Sequence, residues 1–380
     1  MRIRDVVLFG EGDVVDVVVA DDAVHIESAS GLSARRRVLL PGLVDLHTHL
    51  REPGAEESET IASGTAAAAA GGYSDVFAMA NTTPPADTVD RVLDVRRRAA
   101  GAPARVHVVA AGTSGLCGVS PVDVAALADV GVRVFSDDGR CVFDDDVMRE
   151  LMARIADADA VFAQHAQHPG IVGDGVVNER VADRVGAAPW PARGESDIVA
   201  RDIEIVRETG GHLHVCHVST AETVELVAQA KREGLPVTAE VTPHHLHLTD
   251  EDAARRGPEL KVNPPLRSSG DVAALRAALR DGIIDAVGTD HAPHPRDAKR
   301  LGWAASAFGL TGIETALAAV AEALTDAAGT VDWRRLIDAM RTRPARIGGI
   351  SPSSPASLSR TFTVVAEESA PVTARAMLSR

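Results

Sequence analysis

Between about residues 38 and 325 the chain repeats one pattern eight times: a short, almost wholly apolar run, then an amphipathic stretch of helical period. "RRVLLPGLVDLHTHL" precedes "SETIASGTAAAAAGG", with Ser58 as N-cap and Gly71 or Gly72 as terminator. "SDVFAMAN", "ARVHVVAAG", "VRVFSDDG", "AVFAQHA", "GHLHVCHVS", "PVTAEVTPHH" and "IDAVGTDHAPH" open the other seven units. Runs apolar on both faces, alternating with helices, require a parallel sheet covered on each side. Eight units at this length predict a (β/α)8 barrel over residues 41–346. A doubly wound sheet is the alternative, but no Gly-rich phosphate loop follows the first strand. Residues 1–40 hold short β-branched runs broken by Gly and Asp, and predict part of a small β domain. The Ser/Pro-rich tail 347–380 would complete that domain in partly truncated form.

A barrel carries its chemistry at the C-terminal ends of the strands. Here those ends turn polar: His47 and His49 close the first, Asp137 and Asp138 the fourth, His165 the fifth, His217 the sixth, and Asp290, His291 and His294 the eighth. His47 and His49 are two apart, so on a strand both face one side, whereas on a helix they would diverge by about 200°. Taken singly, each has a bland reading: a hydrogen-bonded surface pair, a core histidine, a helix cap. Strand alternation sets His217 on the face of Leu213 and Val215, read as inward, and sends His212, His214 and Cys216 under the helices as structural residues. His244, His245 and His247 are read as structural or supporting. Together, imidazoles and carboxylates from five units suit Zn²⁺ or Mn²⁺, and a bridging carboxylate permits two ions about 3.5–4 Å apart.

The formal charge of −15 argues against nucleic acid or an anionic membrane as partner, so an anionic substrate needs local positive charge. No run approaches a membrane span and no cleavable leader is apparent, which predicts a soluble cytoplasmic protein. Cys117, Cys141 and Cys216 form no CxxC pair, which argues against a disulfide framework or a cysteine zinc site.

The segments "DLHTHLREPG", "AMANTTP", "FSDDG", "HVCHVST", "VTAEVTPHHL", "KVNPPLR", "GTDHAPH" and "AFGLTGIET" together resemble the dihydroorotases of the amidohydrolase superfamily, in particular the class I bacterial and archaeal type. The resemblance runs in order from about residue 38 to 346. It implies that His47, His49 and Asp290 hold one metal ion, that His165 and His217 hold another, and that Asp138 bridges them, with Asp137 as the fallback. Zn²⁺ is the expected ion, one or two per subunit, with Mn²⁺ or Co²⁺ as substitutes. Many relatives bridge with a carboxylated lysine; none of Lys231, Lys261 and Lys299 lies at a suitable strand end. By the same resemblance Arg51, Asn81 and His294 grip the substrate carboxylate and Asn263 contacts the ring. His49 also lies beside the substrate, Phe308 and Gly309 belong to a substrate-contacting loop, and Asp290 shuttles the proton.

The implied reaction is the reversible cyclisation of N-carbamoyl-L-aspartate to (S)-dihydroorotate and water in pyrimidine biosynthesis. The alternatives are another cyclic amidohydrolase, of dihydropyrimidinase or allantoinase type, and a non-catalytic scaffold for aspartate transcarbamoylase. The same resemblance leaves room for a homodimer and for a complex with that transcarbamoylase. The tail lacks the family's usual Ala-Asp-containing strand and its Asn-Thr-Pro-Phe stretch.

Overall fold

The computed structural model describes residues 2–10, 12–20, 23–29, 37–350 and 362–365. Eight parallel strands form its centre: β1 (Leu43–Thr48), β2 (Tyr73–Ala78), β3 (Arg105–Val108), β4 (Val134–Phe135), β5 (Val161–Gln164), β6 (His212–Val215), β7 (Val237–Val241) and β8 (Ala286–Val287). They lie in a three-stranded sheet, β1-β2-β3, and a five-stranded sheet, β4-β5-β6-β7-β8. Single parallel bridges, Ala110 to Phe135 and Thr48 to His291, join the two sheets at both seams. The eight strands thus follow one another in ring order.

Each strand is followed by a helix whose apolar face covers it. Ile61–Ala70 follows β1, Asp145–Asp157 follows β4, Arg193–Thr209 follows β5 and Ala221–Arg232 follows β6. The first of these is capped by Thr60, with a reciprocal bond to Ser63, and not by Ser58. Ser63 at the third helical position completes a capping box, which Ser58 cannot reach. Helix Asp145–Asp157 is likewise capped by Asp144, which frees both Asp137 and Asp138 from that role.

Two apolar layers result. Val76, Ala78, Leu213, Val215, Val237, Ala239 and Val241 pack outward against helical Val92, Val95, Ile198, Val199, Val224 and Val227. Val44, Leu46, Phe77, Val134, Val161, Ala163, Cys216 and Ala286 form a separate inner cluster, with Ile347 against it. β6 therefore faces the opposite way from the sequence expectation: Leu213 and Val215 lie under the helices, while His214 and Cys216 point inward. A strand buried on both faces has no polar alternation to orient it.

The apolar run at residues 37–48 is also two strands rather than one. Pro41 and Gly42 break it, and Arg37–Pro41 joins a second sheet ordered Phe362–Val365, Arg37–Pro41, Arg2–Leu8, Val14–Ala20, Ala23–Ser28. Proline lacks the N–H that a continuing ladder needs. Phe362–Val365 runs antiparallel to Arg37–Pro41, so a segment of the C-terminal tail closes the small sheet. The remainder of 351–380 lies outside the described residues.

Candidate metal centre and active site

At the C-terminal mouth of the ring, His47, His49, Asp138, His165, His217 and Asp290 come together, all buried. Asp138 lies between two groups of imidazoles. Its Oδ1 is 3.4 Å from His47 Nε2, 3.2 Å from His165 Nδ1 and 3.4 Å from His217 Nε2. Its Oδ2 is 3.3 Å from His49 Nε2. Asp290 Oδ1 is 3.1 Å from His49 Nε2 and 3.7 Å from His47 Nε2. His47, His49 and Asp290 offer donor atoms mutually within 4.8 Å, and so do His47, Asp138 and His217.

The chemistry of this donor set fits a divalent ion. His47 Nε2 is fully buried yet has no hydrogen-bond partner, although two carboxylates face it. His165 Nδ1 and His217 Nε2 lie 2.9 Å apart, and both face Asp138 Oδ1. An unpaired buried polar atom is costly unless something occupies its lone-pair direction. Electrostatics agree. Burial opposes charge on His47, but Asp138 and Glu240 hold its pKa well above the ordinary imidazole range. Burial would raise Asp138, yet His47, His165 and His217 bring it well below the usual carboxylate range. Asp290 is lowered in the same way, against its burial, by His49 and His47. The two buried carboxylates thus make the cluster a place where positive charge is favoured.

Backbone strain accompanies these positions. His217 and Asp290 take positive φ, 33° and 47°, as does Arg51 at 60°. Side chains at such angles are strained, and strain of this kind gathers at functional sites. For His217 the positive φ reverses the alternation of β6, so the residue enters the mouth by a turn in the backbone two residues beyond the strand.

The predicted substrate residues surround the cluster. Arg51, half-buried, donates from Nε to Pro293 O at 3.2 Å and lies 3.2 Å from His294 Nε2. His294 Nε2 donates to Phe308 O at 2.6 Å. Burial and the Arg51 charge push His294 down to about 4, so it is neutral. Asn81 is drawn into the metal side: its Oδ1 accepts from His49 Nδ1 at 3.0 Å and its Nδ2 donates to Asp138 O at 3.2 Å. Asn263 Nδ2 donates to Gln167 Oε1 at 3.1 Å, while its Oδ1 is buried without a partner. Gly309 takes φ 130°, and a Cβ there would lie 2.6 Å from Ala292 O. Asn81, Asp138 and Arg140 line a cavity of about 340 Å³ at the mouth.

Asp137 does not join the cluster, because both of its carboxylate oxygens are engaged elsewhere. Its Oδ1 accepts from Gly112 N and Thr113 N at 2.8 and 2.9 Å, and its Oδ2 accepts from Thr113 Oγ1, so it pins the loop after β3.

Two residues of the site escaped the sequence reading. Glu240 on β7 accepts from His47 Nδ1 at 2.6 Å and lies 3.3 Å from His214 Nε2. The imidazoles lower it to about 2 despite complete burial. A lone glutamate inside "VTAEV" was the available signal. Gly288 makes room for it, since a Cβ there would sit 2.2 Å from Glu240 Oε2. Gln167 accepts from His165 Nε2 at 2.8 Å. Each thus fixes which nitrogen of a histidine faces the cluster by engaging the other one.

Parallel strands ringed by helices, with histidines and aspartates gathered at one mouth, define the class: a barrel hydrolase of the amidohydrolase type. Solved structures agree. An L-hydantoinase (dihydropyrimidinase) from Arthrobacter aurescens superposes with a TM-score of 0.79 at 27% identity, covering 93% of this chain and 83% of that one. The dihydropyrimidinase of Brevibacillus agri shares the fold at TM-score 0.75 and 22% identity, over 92% and 82%. Sequence relatives narrow the class. The dihydro-orotase-like family profile matches residues 36–223. The dihydroorotase of Streptomyces coelicolor is 48% identical, over 89% of this chain and 79% of its own length. That of Mycobacterium tuberculosis is 45% identical, over 91% and 83%. The chain belongs to the dihydroorotase family.

Among the described residues no helix is long and apolar enough to cross a membrane.

Proposed function

We propose that this protein is a dihydroorotase, converting N-carbamoyl-L-aspartate and (S)-dihydroorotate into one another with loss or gain of water. The observation that carries this reading is the meeting, at one mouth, of a six-residue His/Asp cluster with the Arg51–His294 pair. In this reading His47, His49 and Asp290 would hold one ion, His165 and His217 would hold a second, and Asp138 would be shared between them. Zn²⁺ suits three imidazole-and-carboxylate donors best, with Mn²⁺ or Co²⁺ as substitutes. Once bound, such a centre supplies Lewis-acid polarisation of the ring amide carbonyl and activation of water.

The chain's own residues do the rest. In hydrolysis Asp290 takes the proton of the attacking water and delivers it to the departing amide nitrogen; cyclisation runs the transfer backwards. Arg51 binds the substrate carboxylate and supplies positive charge that the acidic chain otherwise lacks. His294 stands beside Arg51 and would reach the same carboxylate by turning its single N–H from Phe308 O to the substrate, and Asn81 would offer its second amide N–H while holding His49. The unpartnered Asn263 Oδ1 is an acceptor for a ring N–H. Residues 41–346 carry this chemistry as the catalytic unit, in the cytoplasm.

The hydantoinase-like fold supports a second reading, hydrolysis of an uncharged dihydropyrimidine. Two features weigh against it. Arg51 would have no carboxylate to meet. The three lysines are engaged elsewhere, Lys231 with Asp285, Lys261 with Trp303 O and Lys299 with Ala307 O, which leaves the bridge to Asp138. The test is dihydroorotate hydrolysis on samples whose metal content is measured in parallel. Activity should track metal and dihydrouracil should be a poor substrate. A fully loaded protein that leaves dihydroorotate intact overturns the reading.

A further inference from the structure

We propose that Lys299 is a positioning residue for substrate binding, its ammonium clasping the two loops that present Asn263 and Phe308. The inference rests on the dihydroorotase reading for what the loops bind, but the clasp itself is geometric. Lys299 Nζ lies 2.9 Å from each of three carbonyl oxygens, those of Lys261, Ala307 and Gly309. An ammonium has three N–H donors and no acceptor, so this one is satisfied by backbone alone. Lys261 O comes from the loop after β7, two residues before Asn263. Ala307 O and Gly309 O come from the loop after β8, on either side of Phe308.

Neighbouring contacts extend the clasp. Gly309 N also donates to Lys261 O at 3.0 Å, so that oxygen joins both loops. Lys261 Nζ reaches Trp303 O and Ala304 O and sits 4.1 Å from the centre of the Phe308 ring. Phe308 O accepts from His294, which adjoins Arg51. A continuous chain of contacts therefore runs from the Lys299 ammonium to the guanidinium proposed to bind substrate. Of 39 basic residues only three are lysine, so arginine is this chain's usual cation. At this position a flat guanidinium fork cannot point three donors at carbonyls converging on one atom. Without the ammonium, three carbonyl dipoles would face one another across a half-buried gap. The loop at 307–309 would then lift away from 261–263.

The experiment compares the parent protein with Lys299→Met, Lys299→Arg and Lys299→Cys, the last before and after alkylation with bromoethylamine, which rebuilds a lysine-like ammonium. Metal content, kcat and KM for dihydroorotate are measured on each, with hydrogen exchange at the Gly309 amide. Lys299→Met and Lys299→Arg should raise KM by about tenfold or more while kcat and metal stay near parent values, the mark of lost binding rather than lost chemistry. Gly309 exchange should quicken. Alkylating the Cys variant should bring KM back toward the parent, whereas the same treatment of the parent, which carries an exposed Cys117, should leave KM unchanged. A KM within about twofold of parent in Lys299→Met, metal and kcat falling together, or alkylation without recovery would each overturn the clasp. If the metal-loaded parent does not hydrolyse dihydroorotate, the functional reading fails on its own. Gly309 exchange then decides the clasp: faster in Lys299→Met supports it, and unchanged exchange rejects it.

Discussion

His47 donates from Nδ1 to Glu240 Oε1 at 2.6 Å, and this one contact fixes which nitrogen of His47 faces the two aspartates. With Nδ1 engaged by Glu240, Nε2 is the nitrogen turned toward Asp138 and Asp290. Replacing Glu240 with Leu removes the acceptor and leaves a buried N–H unpaired. Metal affinity should fall by about 10–100-fold, as for other partners that orient a metal-binding histidine. Glu240→Gln keeps an acceptor oxygen without the charge and should lie between. Competition against a chromophoric chelator at fixed pH measures both. Parent-like affinity in Glu240→Leu would remove Glu240 from the site.

Asp138 and its neighbour Asp137 should part company on mutation. Asp138 touches four histidines of the cluster, whereas Asp137 is spent on Gly112 and Thr113. Asp138→Ala should lose metal and activity together. Asp137→Ala should keep its metal but lose about 1–3 kcal/mol of stability, since buried N–H donors of the loop go unpaired. Metal analysis and urea titration on the two variants separate the outcomes. Metal retained by Asp138→Ala would refute the bridge.

The contrast shows where the sequence was readable. Strand order, the mouth and six converging side chains were legible because a barrel gathers its chemistry at the C-terminal ends of its strands, where this chain turns from apolar to His and Asp. The direction of β6 was not. Leu213, Val215, His214 and Cys216 are all buried, so a two-residue period has no solvent side to anchor it. His217 was assigned inward for the wrong reason, since a positive φ, not alternation, brings it there. Glu240 and Gln167 were missed because supporting residues carry no spacing motif; their partners are distant in sequence. The split at Pro41 was readable in principle, because proline followed by glycine interrupts a ladder.

Arg51 should govern which ring the enzyme accepts. Its guanidinium stands beside His294 with Pro293 O as its backbone acceptor, and the cluster with Asp290 lies nearby. Arg51→Met should leave metal content unchanged and raise KM for dihydroorotate, a loss of about 2–5 kcal/mol, much of it from the carboxylate left unpaired. Dihydrouracil, which has no carboxylate, should be turned over poorly by both forms. Steady-state kinetics with the two rings decide the matter. Equal kcat/KM for them in the parent would instead favour dihydropyrimidine hydrolysis.

Acid should destabilise the fold through histidines remote from the metal cluster, and His212 is the clearest. It begins β6, at the opposite end from the mouth, and its Nε2 lies 2.9 Å from Thr238 Oγ1. Burial first, then His214 and Arg133, push it down to about 4. The unfolded chain binds a proton at His212 near the ordinary value of about 6.5, so between these values the unfolded state holds more protons than the folded one. Stability is therefore fully present above about pH 6.5 and is lost as pH falls toward 4. His212 alone should remove about 2 kcal/mol between pH 8 and pH 5. Asn at this position keeps a donor for Thr238 but cannot take up a proton, so His212→Asn should flatten the profile by that amount. Urea unfolding of parent and variant at several pH values, with metal chelated so that the mouth contributes equally, measures the difference. Parallel profiles, or a parent that gains stability toward pH 5 relative to the variant, would show that His212 is not held neutral in the fold.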